Sequence, residues 1–174
     1  TGADLLIATA GTDNVRIGEN AGDSIESGAL RNILIGKNAG TALTTGDSNV
    51  AVGWEALKTE DAHSNSVAIG ASALATQDAG ADAYNVAMGY NAGTAVTTGI
   101  QNTLIGGLAG DVLTDADYNV ALGVSALGAD TLGSKSVALG YSTLTNQNFT
   151  TATDTYNTAV GYTAGSSVTT GTQN

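Results

Sequence analysis

The sequence predicts an all-β fold, a parallel β-solenoid or β-roll of about nine coils with about 17 residues each. Three observations predict this class. A glycine recurs at nearly constant spacing, an apolar–small–apolar triplet precedes each copy, and small or β-branched residues dominate the composition. The 174 residues include 24 glycines and no proline, and 42% are hydrophobic, so the chain has more apolar surface to bury than a disordered segment has.

The recurring glycine, which we call the strand glycine, marks the coils. Its copies are Gly18, Gly36, Gly53, Gly70, Gly89, Gly106, Gly123, Gly140 and Gly161. Successive copies are 17 to 21 residues apart. Glycine has no Cβ atom, so it readily ends a strand where the chain must turn. A repeat of this kind is the signature of a solenoid, in which each coil stacks on the next.

A short strand precedes each strand glycine. Asn or Ser lies four residues before the glycine, and aliphatic residues predominate three residues and one residue before it, with mostly Ala between them. Because alternate residues of a strand share one face, we expect the aliphatic columns to line the core and the Ala column to face outward. There its small side chains would let neighbouring chains approach, except at Arg16, Leu34 and Leu104. The stacked Asn side chains predict an amide ladder.

The second wall of the core is predicted from residues that follow the strand glycine. In coils that read G-x-x-A-G an aliphatic residue lies seven positions after the glycine, and in coils that read G-x-x-A-L the leucine lies four positions after it. The wall residues are Ile25, Leu43, Val96, Leu113 and Val168 in the first kind of coil, and Leu57, Leu74, Leu127 and Leu144 in the second. At the seventh position the second kind has Glu60, Gln77, Asp130 and Gln147 instead. We interpret the acidic residues of the chain as solvated charges on turns.

The sequence divides into a partial preceding coil, residues 1–13, and a repeat solenoid, residues 14–174. It ends in mid-repeat, since Thr170–Asn174 is similar to Thr98–Asn102, which leads into a further coil. We therefore interpret the chain as a fragment of a longer fibre. The longest spacing predicts a loop that leaves the solenoid at about residues 145–156.

Motifs for most kinds of site chemistry are missing from the sequence. It has no cysteine and one histidine, His63, and it contains no phosphate-binding loop, zinc-protease motif, nucleophile elbow or calcium repeat. We therefore predict no enzyme, no cofactor and no metal ion; the scattered acidic residues also disfavour a carboxylate-based polysaccharide-degrading enzyme. A net charge of −11 with five Lys and Arg residues disfavours nucleic acid as a partner. No apolar run of 18 residues is present, so we expect no membrane insertion.

Aromatic residues occupy two columns at the strand ends. Directly after the strand glycine come Trp54, Tyr90, Tyr141 and Tyr162, and directly before the strand Asn come Tyr84, Tyr118 and Tyr156. Such rings can stack on the apolar faces of sugars while their polar tips stay hydrated. We take Trp54, Tyr90, Tyr141, Tyr162 and the loop residue Phe149 as candidate receptor or glycan contacts. The alternative, favoured by the regular spacing, is that the rings cover solenoid corners or subunit seams.

Several segments resemble repeats of known fibres. His63–Ala73 and Ser136–Gly140 resemble the S-V-A-I-G-x-x-A repeat of YadA-like heads, which belong to trimeric autotransporter adhesins. Asn85–Gly93 and Asn157–Gly165 are similar to repeats of phage tail fibres, particularly those of cyanobacterial phages. The resemblance covers nearly the whole chain. It implies a left-handed parallel β-roll whose chains associate three at a time.

The function implied by this resemblance is that of a non-enzymatic, extracellular fibre segment. We expect part of a phage tail fibre or receptor-binding protein, a homotrimer that attaches to a glycan or protein receptor on the host cell surface. The alternative is the head domain of a bacterial trimeric autotransporter adhesin, on the bacterial cell surface. A further alternative is an ice-binding solenoid, although the pairs Thr44–Thr45, Thr97–Thr98 and Thr169–Thr170 are separated by coils without such pairs.

Overall fold

A computed structural model describes residues 11–174 of the chain. These residues form parallel strands and turns and contain no helix, and the coils stack as a solenoid of about nine turns, as the repeat predicts. Of the predicted partial coil at residues 1–13, residues 1–10 lie outside the described part of the chain. Thr12 pairs with Leu30 of the following coil in a parallel bridge.

Nine three-residue strands form one parallel sheet in chain order. They are β1 (Val15–Ile17), β2 (Ile33–Ile35), β3 (Val50–Val52), β4 (Val67–Ile69), β5 (Val86–Met88), β6 (Thr103–Ile105), β7 (Val120–Leu122), β9 (Val137–Leu139) and β11 (Thr158–Val160). Two short strands, β8 (Gly133–Ser134) and β10 (Thr153–Asp154), pair in a separate parallel ladder. Equivalent residues face each other throughout, as in the pairing of Val50 with Val67, so each column stacks like on like.

The strands face the opposite way from the sequence-based expectation. The central residue of the strands points inward: Ala51, Ala68, Ala87, Ala121 and Ala138 are fully buried, as are Leu34 and Leu104. The flanking aliphatic residues are half-buried or exposed, with Ile17 at 42% and Leu122 at 45% exposure. The prediction that the aliphatic columns line the core is therefore wrong. Strand periodicity shows which residues share a face, but it does not show which face points inward. That depends on the space between the strand and the second wall, and here the side chains of the second wall leave room mainly for Ala.

The predicted second wall is confirmed in the described coils. Leu57, Leu74 and Leu127 are fully buried, and each adopts a positive φ of 48° to 53°. A bulky residue in this left-handed region costs about 1–3 kcal/mol, and full burial of its side chain offsets that cost with a similar amount. Coils with glycine at this position avoid the strain, and a leucine of the same or the adjacent coil fills the space beside the glycine. A Cβ atom at Gly40 would lie 2.8 Å from Cδ2 of Leu34.

The segment predicted as a projecting loop at residues 145–156 is mostly part of the solenoid. Phe149 is buried, its carbonyl accepts a hydrogen bond from the main-chain N–H of Leu132, and β10 within the segment pairs with β8. Three consecutive exposed residues, 150–152, follow Phe149. The extra length is accommodated as a wider coil because its main-chain groups find partners on the coil below.

Replacing Leu74 by Asp should disrupt the core between adjacent coils. The side chain is fully buried, and an unpaired carboxylate there would lower the free energy of unfolding by more than about 4 kcal/mol. Thermal unfolding followed by circular dichroism measures the effect. Ala81→Asp, in an exposed loop, is the control and should stay within about 0.5 kcal/mol of the wild type. Equal stability of the two variants would contradict this core assignment.

Replacing a strand glycine should be costly wherever another coil stacks on it. A Cβ atom at Gly106 would lie 2.6 Å from the carbonyl oxygen of Gly123, and φ at Gly106 is 134°. At Gly161 φ is similar, 126°, but the nearest atom is the Ala164 Cβ at 3.8 Å. Gly106→Ala should therefore cost about 3 kcal/mol or more, and Gly161→Ala about 1–3 kcal/mol. The midpoints of urea unfolding measure the stability of the two variants. An equal loss of stability would show that backbone strain alone determines the cost.

Candidate functional surface

The outer face of the nine-stranded sheet is a continuous aliphatic surface, which we call the aliphatic face. It consists of the two outward residues of each strand, and Val, Ile, Leu and Met occupy almost all of these positions. The most exposed members are Ile17, Ile33, Met88, Leu122 and Val160. Monomeric proteins rarely expose contiguous apolar patches of this kind, and larger ones mark interaction sites. The sheet therefore presents a surface suited to contact with another apolar surface.

Aromatic side chains border the aliphatic face at both ends of the strands. The column after the strand glycine contains Trp54, Tyr90, Tyr141 and Tyr162, with exposures of 49% to 77%. The column before the strand Asn contains Tyr84, Tyr118 and Tyr156, with exposures of 46% to 55%. Tyr141 and Tyr162 lie on adjacent coils and stack with their ring centroids 5.2 Å apart and an interplanar angle of 11°. The stacking pre-orders a flat apolar platform at one edge of the sheet.

A charged cluster interrupts the column that precedes the strand Asn. Lys135 lies between two tyrosines, with its Nζ 6.0 Å from the ring centroid of Tyr118 and 5.4 Å from that of Tyr156. It also donates a hydrogen bond to Asp154 at 2.5 Å. This bond raises the pKa of Lys135 and holds the pKa of the Asp154 carboxyl below its usual value. The ammonium group thus fixes the two rings by cation–π contacts, while its charge is paired with the Asp154 carboxylate.

Behind the sheet, the predicted Asn ladder is present as side-chain to main-chain bonds. The Oδ1 atom of Asn32 accepts a hydrogen bond from the main-chain N–H of Asn49 at 2.8 Å, and its Nδ2 donates to the Gly46 carbonyl at 2.7 Å. The first bond joins neighbouring coils and the second ties the start of a coil to its end. Asn49, Asn102 and Asn119 repeat the pattern. A buried polar column of this kind fixes the register of the stack.

Where Ser replaces Asn in this column, a buried glutamine takes over its bonds. Gln77 donates to the Ser66 hydroxyl at 2.8 Å and to the Glu60 carboxylate at 2.7 Å, and it accepts a bond from Asn85. Gln147 makes the same contacts with Ser136, Asp130 and Asn157. Glu60 and Asp130 are fully buried, so the interpretation of the acidic residues as solvated charges is wrong for these two. They are tolerated because hydrogen-bond donors surround them.

The structure separates the five candidate contact residues named from the sequence. Trp54, Tyr90, Tyr141 and Tyr162 lie on one exposed column, whereas Phe149 is buried at 7% exposure and cannot touch a receptor while its coil is intact. Sequence reasoning missed the aliphatic face because it assigned those residues to the core. The available signal was Leu34 and Leu104 in the Ala column, which mark that column as the inner one.

Comparison with known proteins gives no relative. The chain matches no protein-family model, no curated protein and no solved structure. Within residues 11–174 there is no helix of the length and apolarity needed to cross a bilayer.

Proposed function

We propose that this chain is a non-enzymatic segment of an extracellular fibre, in which three parallel copies associate through the aliphatic face. The observation that carries the proposal is that face itself. Its side chains do not contribute to the core of the single coil, yet they are as apolar as core residues. Burying such surface is favourable by about 25 cal/mol per Å², so it provides a strong drive for association.

Parallel association of identical chains suits this architecture. Every coil presents the same pair of outward positions, so three chains packed around a common axis would repeat one contact along the whole length. The net charge of −11 opposes non-specific aggregation, whereas none of the outward strand residues that form the aliphatic face is charged. Within such a fibre the two aromatic columns would border the seams between chains and remain partly accessible.

The biological role that fits this assembly best is host attachment by a phage tail fibre or receptor-binding protein. The repeat resemblance and the exposed aromatic column support it, because a stiff rod with regularly spaced rings can present many weak contacts to a glycan-coated surface. The head of a bacterial trimeric adhesin would use the same surfaces, and neighbouring genes distinguish the two: tail genes, or a downstream membrane anchor.

An ice-binding role has one observation in its favour. Thr97, Thr114 and Thr131 occupy equivalent positions on three consecutive coils, but Asp61 and Asp78 interrupt the same column nearer the N-terminus. The Thr114 hydroxyl also donates to the Thr131 carbonyl at 3.1 Å. These hydroxyls are therefore engaged with the neighbouring coil, and thermal hysteresis of the purified chain would test this role directly.

The trimer is tested by light scattering over a dilution series. The wild type should have a mass of about three times 17.1 kDa, and Met88→Lys combined with Leu122→Lys should give a folded monomer, because it places charges in the buried interface. These outward residues are outside the single-chain core, so the circular dichroism spectrum should not change. Ala81→Lys combined with Thr150→Lys, both in exposed loops, should remain trimeric. A wild-type monomer at every concentration would refute the proposed assembly.

Glycan contact is tested by screening the wild type on a polysaccharide and glycan array. We expect binding that weakens about tenfold or more when Tyr141 and Tyr162 are both changed to Ala, since the stacked pair is lost. Tyr84→Ala, on the opposite edge of the sheet, is the matched control and should bind normally. Binding that survives the double change would exclude this platform as the contact site.

A further inference from the structure

A group of titratable side chains surrounds the buried Glu60 carboxylate. Glu60, Asp61 and His63 lie in one turn, and Asp78 lies at the position of the next coil that is equivalent to Asp61. One donor atom from each of the four lies within 4.8 Å of all the others. Nδ1 of His63 is 2.7 Å from a Glu60 carboxylate oxygen, 3.8 Å from Asp61 and 3.9 Å from Asp78.

The chain contains an internal comparison for this group. Seventy residues further on, Asp130 replaces Glu60, and the residues Thr131, Gly133 and Asn148 replace the other three. Asp130 is fully satisfied there, since one carboxylate oxygen accepts main-chain N–H bonds from Gly133 at 3.1 Å and Phe149 at 3.0 Å, and the other accepts from Gln147. At the first site one Glu60 oxygen accepts a bond from the main-chain N–H of His63 at 3.2 Å and lies 2.7 Å from its Nδ1, so the imidazole takes the place of the second main-chain donor. The two aspartates are additions that the buried carboxylate does not require.

The charges of the group are not balanced by the protein. Three carboxylates face a single imidazole, and among the described residues no Lys or Arg forms an ion pair with Glu60, Asp61 or Asp78. Glu60 is fully buried, so water does not solvate its carboxylate. Like charges this close repel each other, and a divalent cation placed among them would convert the repulsion into attraction.

We propose that Glu60, Asp61, His63 and Asp78 form a binding site for a divalent transition-metal ion of the Zn²⁺ or Mn²⁺ class. A donor set of one imidazole nitrogen and carboxylate oxygens suits these ions, whereas Ca²⁺ and Mg²⁺ prefer oxygen alone. Donors about 2.0–2.2 Å from a tetrahedral Zn²⁺ ion lie about 3.5 Å apart. Asp61 and Asp78 need only small rotations to reach that spacing, and their side chains are 55% and 60% exposed and free to make them.

The surroundings of the site support metal binding in two ways. The amide of Gln77 donates to the second Glu60 oxygen at 2.7 Å and so orients the carboxylate toward the imidazole. Nδ1 of His63 already points at a Glu60 oxygen 2.7 Å away, so an ion bound there would replace a hydrogen bond that holds both groups in place. An ion bound here would cross-link two adjacent coils, next to the wider coil that follows Gly70, and would stabilise their stacking.

The test is calorimetric titration of the whole chain with ZnCl₂ and, separately, MnCl₂. We expect saturable binding of one ion per chain by at least one of the two metals, reversed by EDTA, and a rise in the unfolding temperature. His63→Gln should weaken binding about tenfold or more, as should Asp61→Asn combined with Asp78→Asn. The control is Asp23→Asn combined with Glu26→Gln, which removes the same charge from an exposed turn elsewhere and should bind normally.

The single histidine permits an independent readout that needs no variant. In a ¹⁵N spectrum of the imidazole, only His63 contributes, and addition of the diamagnetic Zn²⁺ ion should shift its Nδ1 resonance at one equivalent. Absence of saturable binding of either metal, or equal binding by all variants with an unshifted Nδ1, would overturn the proposal and indicate diffuse adsorption to an acidic surface. The outcome does not depend on the trimer, because all four donors come from one chain.

Discussion

The stacking of the strand glycines is the constraint on which the rest of the structure depends. Each has φ between 126° and 142°, and the main-chain N–H of Gly36 donates to the Ile17 carbonyl of the coil below. A side chain at most of these positions would enter the backbone of the next coil. The coils can therefore approach only where glycine meets glycine, which fixes the register of every other column. Extra residues can be inserted on the opposite side of the coil, because no column of stacked glycines restricts the backbone there.

Because the columns are in register, a very thin core is sufficient to hold the coils together. The inward strand residue is Ala in the coils with leucine four residues after the strand glycine, whereas Leu34 and Leu104 lie in coils with glycine at that position. In coils with glycine at that position, leucines of the same or the adjacent coil fill the space, as close packing requires. The polar column follows the same rule, because Gln77 and Gln147 restore the bonds that Ser66 and Ser136 cannot make. These two departures from the Asn column are each compensated within one coil.

The sequence was sufficient to predict the coil number, the strand positions, the second wall and the polar ladder, because all of these follow from period and column identity. It was not sufficient to predict which face of the strand is internal. Val50 and Val52 share one face of the strand, and Ala51 lies on the other. The two-residue period does not show which face points inward, because the core can be filled either by large strand side chains or by side chains of the second wall. The approach of Asp78 to Glu60 and His63 was missed for a related reason: it brings together residues of adjacent coils that only the stacking places side by side.

A core this thin leaves recognition to the outside of the solenoid. Within residues 11–174 the interior is occupied by Ala, Leu and the amide column, which leaves little room there for a ligand. The residue type can vary at outward positions without disturbing the stack. These positions are the aliphatic face, the aromatic columns at its edges and the turns that carry Asp61, His63 and Asp78. The same regularity that requires glycine at the strand end gives these outward columns a constant spacing. A partner that repeats at that spacing, such as a second copy of the chain, can match the face coil by coil. This regularity is the physical reason for proposing assembly through the aliphatic face, and the irregularity of the turn cluster is the reason for proposing a single ion there.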